Sequence, residues 1–145
     1  MPSWRATTPQ PVQDELDAVV SSALDTALAL LNKNGEFFPF SITVTDAGEM
    51  GMAASDPGLG DHPDSTAVLD SLYTAISGLR HTYRAAGFVA DVRANGSDAV
   101  RVEAEHRDGG PALVVLTPYK RHGLAKKVFT YGQMSAAAGE RRIWR

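Results

Sequence analysis

Acidic and histidine side chains that can bind a metal ion are concentrated in the ten-residue stretch DPGLGDHPDS, residues 56–65. Carboxylate oxygens and imidazole nitrogens are the usual ligands of hard and borderline divalent cations. A further ligand would have to come from a distant histidine. The spacing matches no zincin, EF-hand or other established ligand pattern. The candidate ligands for a metal ion or small molecule are Asp56, Asp61, His62 and Asp64, with His106 or His81 supplied from elsewhere in the fold.

The same stretch also has the composition of a turn that leads into a helix. Gly58 and Gly60 allow the chain to reverse, and Pro63 suits the first turn of a helix. Asp61 or His62 then lies near the helix cap, and a carboxylate there stabilises the positive end of the helix dipole. We adopt this structural interpretation, because it accounts for each residue type without a ligand.

Other catalytic chemistries find little support in the sequence. The chain has no cysteine, which excludes disulfides, thiolate nucleophiles and cysteine-ligated metals. It contains no G-x-S-x-G, Walker A or S-x-x-K motif. Glu103 and Glu105 lie on one face of a predicted strand, where nearby arginines suit them as ordinary charge pairs on a solvated surface. We therefore expect no cofactor and favour a non-enzymatic protein.

Basic residues are concentrated near the C-terminus. The chain has a pI of about 5.7 and no helix-turn-helix, KH or RRM signature, so we do not expect nucleic-acid binding. A protein partner is the alternative ligand for such a surface. The predicted basic patch consists of Lys120, Arg121, Lys126, Lys127, Arg141 and Arg142.

Charge is distributed unevenly along the chain. Residues 1–75 hold eleven acidic and two basic residues, whereas residues 118–145 hold one acidic and seven basic residues. Such segregation can pair two copies head to tail or fold back within one chain.

The N-terminal residues lack the basic start and unbroken apolar run of a signal peptide, and no stretch suits a membrane span. We expect a cytoplasmic protein.

Hydrophobic periodicity predicts the order α-β-β-α-β-β-β, with a possible further strand. Residues 1–10 are predicted to be a flexible arm and residues 11–145 a single α+β domain. Both helices are expected on one face of an antiparallel sheet, giving two layers. Pro39 is expected to place its strand at a sheet edge or bulge. The predicted helices begin at Pro11 and Pro63 and are ended by Gly35 and Gly87. The predicted strands are 36–45, 49–55, 88–94, 99–106, 111–119 and, less regular, 128–134, followed by a tail whose Ile143 and Trp144 can dock on the body.

Several short motifs resemble those of a family of small bacterial proteins whose activity is uncharacterised. They are FFPF at 37–40, DHPDS at 61–65, DVR at 91–93, RVEAEHR at 101–107, PY at 118–119 and ERRIW at 140–144. This resemblance implies a bacterial protein but assigns no functional residue. The element order is also similar to that of roadblock-type and profilin-like adaptor domains, which implies dimeric scaffolding or regulatory binding.

The sequence thus predicts a protein-interaction or regulatory module that self-associates, most simply as a homodimer, or binds a protein partner. The alternative is a small ligand-binding or metal-binding protein, or an enzyme, that uses residues 56–65 together with His106.

Overall fold

The computed structural model describes residues 4–53, 64–123 and 128–145. In these ranges the chain forms two α-helices and seven β-strands, which confirms the α+β class. Short 3-10 helices cover Trp4–Thr7 and Arg80–Thr82. The main elements are α1 (Gln10–Asn34), β1 (Phe40–Thr45), β2 (Met50–Ala53), α2 (Ser65–Gly78), β3 (Tyr83–Ala94), β4 (Ser97–His106), β5 (Ala112–His122), β6 (Val128–Tyr131) and β7 (Ser135–Gly139).

The strands form one antiparallel sheet in the order β2-β1-β3-β4-β5-β6, and β7 also pairs with β5. The predicted meander of β3, β4 and β5 is confirmed by the continuous pairing of each strand with the next. The expectation that the Pro39 strand lies at an edge is wrong, because β1 lies between β2 and β3. Pro39 immediately precedes the first strand residue, Phe40, so its missing N–H removes no hydrogen bond from the ladder.

Helix α1 packs its apolar stripe on one face of the sheet. Val19, Ala23 and Ala27 are completely buried there and follow the three- and four-residue spacing of a helix. The helix ends at Gly35, whose φ of 78° is left-handed and whose N–H bonds to the Leu31 carbonyl. We call this side the α1 face; its strand residues include Ile42, Val44, Ala85, Val89, Val100, Val102, Ala104, Leu113, Val115 and Tyr119.

Helix α2 lies on the opposite side of the sheet. Its buried residues Val68, Leu72 and Ile76 follow the predicted stripe, but they pack against Ala86 and Phe88. Successive strand residues point to opposite faces, so these two β3 residues point away from the α1 face. The layering therefore differs from the expected two layers, since β3 is apolar on both faces and each face has its own helix. We call this side the α2 face.

The boundary between α2 and β3 also differs from the prediction. The helical stripe suggested a helix that continued to Gly87, but α2 ends at Gly78 and Tyr83 already belongs to β3. Residues from Ala85 onward pair with β1 and β4, and this pairing prevails over the local helical pattern.

The N-terminal segment predicted to be an arm includes the 3-10 helix Trp4–Thr7. Trp4 packs against the hydrophobic core, and Arg5 forms an ion pair with Asp17 at 2.8 Å. No helix in the described ranges is long and apolar enough to cross a lipid bilayer.

Candidate functional site

The acidic stretch at residues 56–65 is represented in the structure by its last two residues. Asp64 is the N-cap of α2, and its Oδ2 accepts a hydrogen bond from the Ala67 N–H at 3.2 Å. The cap is therefore Asp64 itself rather than Asp61 or His62. Asp56, Asp61 and His62 lie outside the described residues. The capping contact supports the structural interpretation for Asp64, the one candidate ligand of this stretch whose position is defined.

His106 is buried at the end of β4, and both of its ring nitrogens have partners. Nδ1 accepts a hydrogen bond from the Asp108 N–H at 3.0 Å, so the ring proton lies on Nε2. Nε2 then donates to Glu15 at 2.8 Å. The side chain is 3% exposed. A neutral, buried imidazole with both nitrogens hydrogen-bonded has no free nitrogen for a metal ion or substrate. The other candidate histidine, His81, is an exposed residue of the short helix before β3.

Glu15 joins the start of α1 to the ends of two strands. It accepts from His106 of β4 and from Arg84 of β3, the latter through Nε at 2.8 Å. Burial opposes ionisation of Glu15, but the hydrogen bonds from Arg84 and His106 outweigh it and lower its pKa below 4.5. Among the described residues, no group of three or more histidine and acidic side chains could hold a metal ion. This charged cluster therefore fixes a helix to the sheet.

The predicted basic patch is divided between distant places. Arg121 lies at the far end of β5, where it donates to the Gly35 carbonyl and stacks 5.2 Å from the Phe129 ring centroid. Lys120 is exposed beside it. Arg141 and Arg142 lie instead near the start of β5, where Arg141 donates to the Gly110 carbonyl at 2.6 Å. Lys126 and Lys127 lie outside the described residues.

The expectation that Glu103 and Glu105 face solvent is wrong. They are 4% and 2% exposed, because the α2 face is covered by α2 and by the C-terminal segment. Glu105 accepts hydrogen bonds from three consecutive backbone N–H groups, those of Arg142, Ile143 and Trp144. Ile143 is 4% exposed and packs with α2. Ile143 and Trp144, for which the sequence left docking open, do pack on the body, and the buried carboxylate of Glu105 is their anchor.

One edge of the sheet has the properties of an interaction surface. Strands β6 and β7 run along β5 as a nearly continuous partner, interrupted at residues 132–134, where the Gly132 N–H still bonds to Pro118. In the part of the chain that the structure describes, no strand pairs with their outer side. The twelve residues 128–139 include no charged side chain. We call residues 128–139 the uncharged edge.

Apolar side chains are exposed along the uncharged edge. Val128 is 56% exposed and Met134 is 52% exposed, and the alanines of β7 are also exposed. Sequence reasoning treated residues 135–139 as part of a tail and missed this strand. The signal that could have found it is the absence of charge over twelve residues inside an otherwise basic region.

The other edge, β2, is shorter and also carries apolar side chains. Met50 and Met52 are exposed, and Met52 lines a groove of about 410 Å³ together with Phe37, Phe38 and Phe40. Glu36 and Asn34 lie at the same groove. β2 has only four residues, so it offers fewer backbone groups for pairing than the uncharged edge.

No family model matches the chain, and no curated protein or solved structure matches it significantly. The candidate site therefore depends on the geometry of this chain alone.

Proposed function

We propose that this protein is a non-enzymatic protein-interaction module that self-associates by antiparallel pairing of β7 with β7 of a second copy. The observation that carries the proposal is the uncharged edge, an exposed run of strand residues without a charged side chain. Natural sheet edges are usually protected from pairing by charges, prolines or very short strands. Residues 128–139 contain no charged side chain and no proline, and the interruption at 132–134 divides the edge into strands of four and five residues.

A second copy is a suitable occupant, because antiparallel pairing is compatible with two-fold symmetry. When the pairing is centred on Ala137, Ser135 of one copy lies opposite Gly139 of the other. In the same register Glu140 lies opposite Met134, so no like charges oppose each other. The small side chains of Ala136 and Ala138 leave the backbone accessible. The interface would extend each sheet into a continuous sheet through two chains.

The test is the molar mass in solution, measured by size-exclusion chromatography with light scattering over a range of protein concentrations. We expect a mass that approaches twice the 15.5 kDa of one chain. Ala137→Lys should reduce the mass to that of a monomer, because a charge on the edge opposes pairing. Ala75→Lys, at an exposed position of α2, is the matched control and should remain dimeric.

Two results would contradict the proposal. One is a monomeric wild-type chain at every concentration, and the other is an Ala137→Lys variant that remains dimeric. Backbone pairing depends weakly on ionic strength, so a dimer that dissociates on addition of salt would indicate charged surfaces instead of the uncharged edge.

The cysteine-free composition is compatible with a reducing compartment, and a cytoplasmic location is part of the proposal.

A further inference from the structure

A groove on the α2 face, beside the end of β7, is rich in guanidinium groups. Its volume is about 500 Å³, and Val114 and Gly139 form part of its wall. The arginines are drawn from β4 and from the C-terminal segment, which the Glu105 anchor holds in place. Its charged residues are Arg101, Arg141, Arg142 and Arg145, with Glu103 and Glu140 as the carboxylates.

Arg142 is held in a fixed orientation within this groove. Its Nε donates to Glu103 at 2.9 Å, and its guanidinium carbon lies 4.7 Å from the centroid of the Tyr73 ring. These contacts use one edge and one face of the planar group. Among the described residues, neither terminal nitrogen of Arg142 donates a hydrogen bond, and the side chain is 50% exposed. The two terminal NH2 groups of the guanidinium are therefore held in position and can donate hydrogen bonds to a ligand.

The neighbouring charged side chains differ in how many of their hydrogen-bonding groups already have a partner. Arg101 donates through one terminal nitrogen to Glu103 at 3.1 Å, so Glu103 is neutralised from two sides. Arg141 is committed to backbone carbonyls, including those of His106 at 2.8 Å and Gly110 at 2.6 Å. Arg145 is exposed. Glu140, also exposed, is the one lining carboxylate that is not paired within the described residues, and the positive charges outnumber it.

We propose that this groove binds an oxyanion, a carboxylate or a phosphate, through the two terminal amines of Arg142, with Arg145 and Arg101 adding positive charge. Two parallel N–H donors match two coplanar oxygens of such a group, and the match favours arginine over lysine. The contacts from Glu103 and Tyr73 reduce the conformational entropy that Arg142 would lose on binding. The inference does not depend on self-association.

The test uses two probes, inorganic phosphate and the peptide triglutamate, titrated into ¹⁵N-labelled protein at constant ionic strength maintained with sodium chloride. We expect saturable shifts in the Arg142 side-chain and nearby backbone resonances. Arg142→Gln should weaken binding by at least about tenfold, the usual effect of losing a charge-assisted hydrogen bond. Arg142→Lys, which keeps the charge, should also weaken it, and Arg145→Gln should weaken it by a smaller factor.

Arg93→Gln is the matched control, because Arg93 is 70% exposed in a hairpin on the other face and should leave binding unchanged. Tighter binding of triglutamate would identify acidic peptide segments as the source of the anion, and tighter binding of phosphate would identify small phosphate ligands. The absence of saturable binding with both probes would overturn the proposal. So would equal affinity in the wild type and Arg142→Gln. Repeating the titration at lower protein concentration separates this outcome from a failure of the self-association proposal.

Discussion

The carboxylate of Glu105 lies 2.8 Å from the backbone nitrogen of Trp144, although these two residues are separated by 39 positions in the sequence. The same carboxylate also accepts from the two preceding backbone N–H groups. One buried side chain thus satisfies three backbone donors that no strand or helix would otherwise pair.

Replacing this anchor should cost much of the stability of the α2 face. Glu105→Ala leaves three N–H groups without an acceptor, and we expect a loss of about 3 kcal/mol in the free energy of unfolding. Glu105→Gln should lose less, because the amide oxygen still accepts. Urea denaturation measures both, and Glu140→Ala at an exposed position is the control. A loss no greater than that of Glu140→Ala would contradict the role of Glu105 as the anchor.

Gly87 lies where the sheet comes close to α1. A Cβ atom at this position would lie 2.6 Å from Cγ1 of the fully buried Val19. We expect Gly87→Ala to destabilise the fold by about 1–3 kcal/mol through overpacking. Gly51→Ala is the matched control, since its Cβ would meet nothing closer than 3.8 Å. Combining Gly87→Ala with Val19→Ala should cost less than the sum of the two single changes, and strict additivity in thermal unfolding would contradict the contact.

The N-cap of α2 separates the structural interpretation of Asp64 from a ligand-binding one. Asp64→Ala removes the hydrogen bond to the Ala67 N–H and should cost about 1 kcal/mol. Asp64→Asn retains an acceptor and should be nearly neutral. Asp70→Ala, at an exposed position of the same helix, is the control. Divalent cations should shift the melting temperature of none of these proteins, and a cation-dependent shift that disappears in Asp64→Ala would restore the metal-site hypothesis.

Acid should weaken the attachment of α1 to the sheet. The folded-state pKa of Glu15 is lowered, so the unfolded chain binds its proton more readily. The contribution of Glu15 is fully present above its ordinary pKa of 4.5 and is lost as the pH falls through the lower folded-state value. The stability difference between the wild type and Glu15→Gln should therefore shrink as the pH falls below 4.5. A difference that stays constant in denaturation curves from pH 6 to pH 3 would contradict the lowered pKa.

The pH dependence of stability that comes from Asp91 should be opposite in sign to that from Glu15. Burial raises its pKa above 3.8, although the hydroxyl of Tyr119 donates to it at 2.6 Å. The folded state then holds this proton more tightly than the unfolded state, so Asp91 costs stability as the pH rises above 3.8. Asp91→Asn should remove that loss and become more favourable, relative to the wild type, with rising pH. The same set of denaturation curves tests this, and a slope of the same sign as that for Glu15→Gln would contradict it.

The sequence predicts the parts of the fold that depend on local periodicity. The stripe of Val68, Leu72 and Ile76 and the meander of β3 to β5 follow from periods of 3.6 and 2. The face of the sheet that each helix covers could not be predicted. β3 is apolar on both faces, and the hydrophobic period does not show which helix packs on which face. Glu105 was misplaced for a related reason. Alternation put its side chain on a solvated face, but the N–H groups that donate to its carboxylate lie 37 to 39 residues later in the chain. Strand β7 was overlooked because alanine and glycine favour no strand.

The distance in sequence between Glu105 and its three donors also orders events during synthesis. The chain leaves the ribosome N-terminus first, and residue 142 is added 37 residues after Glu105. Helix α1 and strands β3 and β4 precede Arg142 in the chain, so the α1 face is built from elements that are synthesised before the three donors to Glu105. A chain shortened before Arg142 should therefore leave the carboxylate of Glu105 without its three backbone donors.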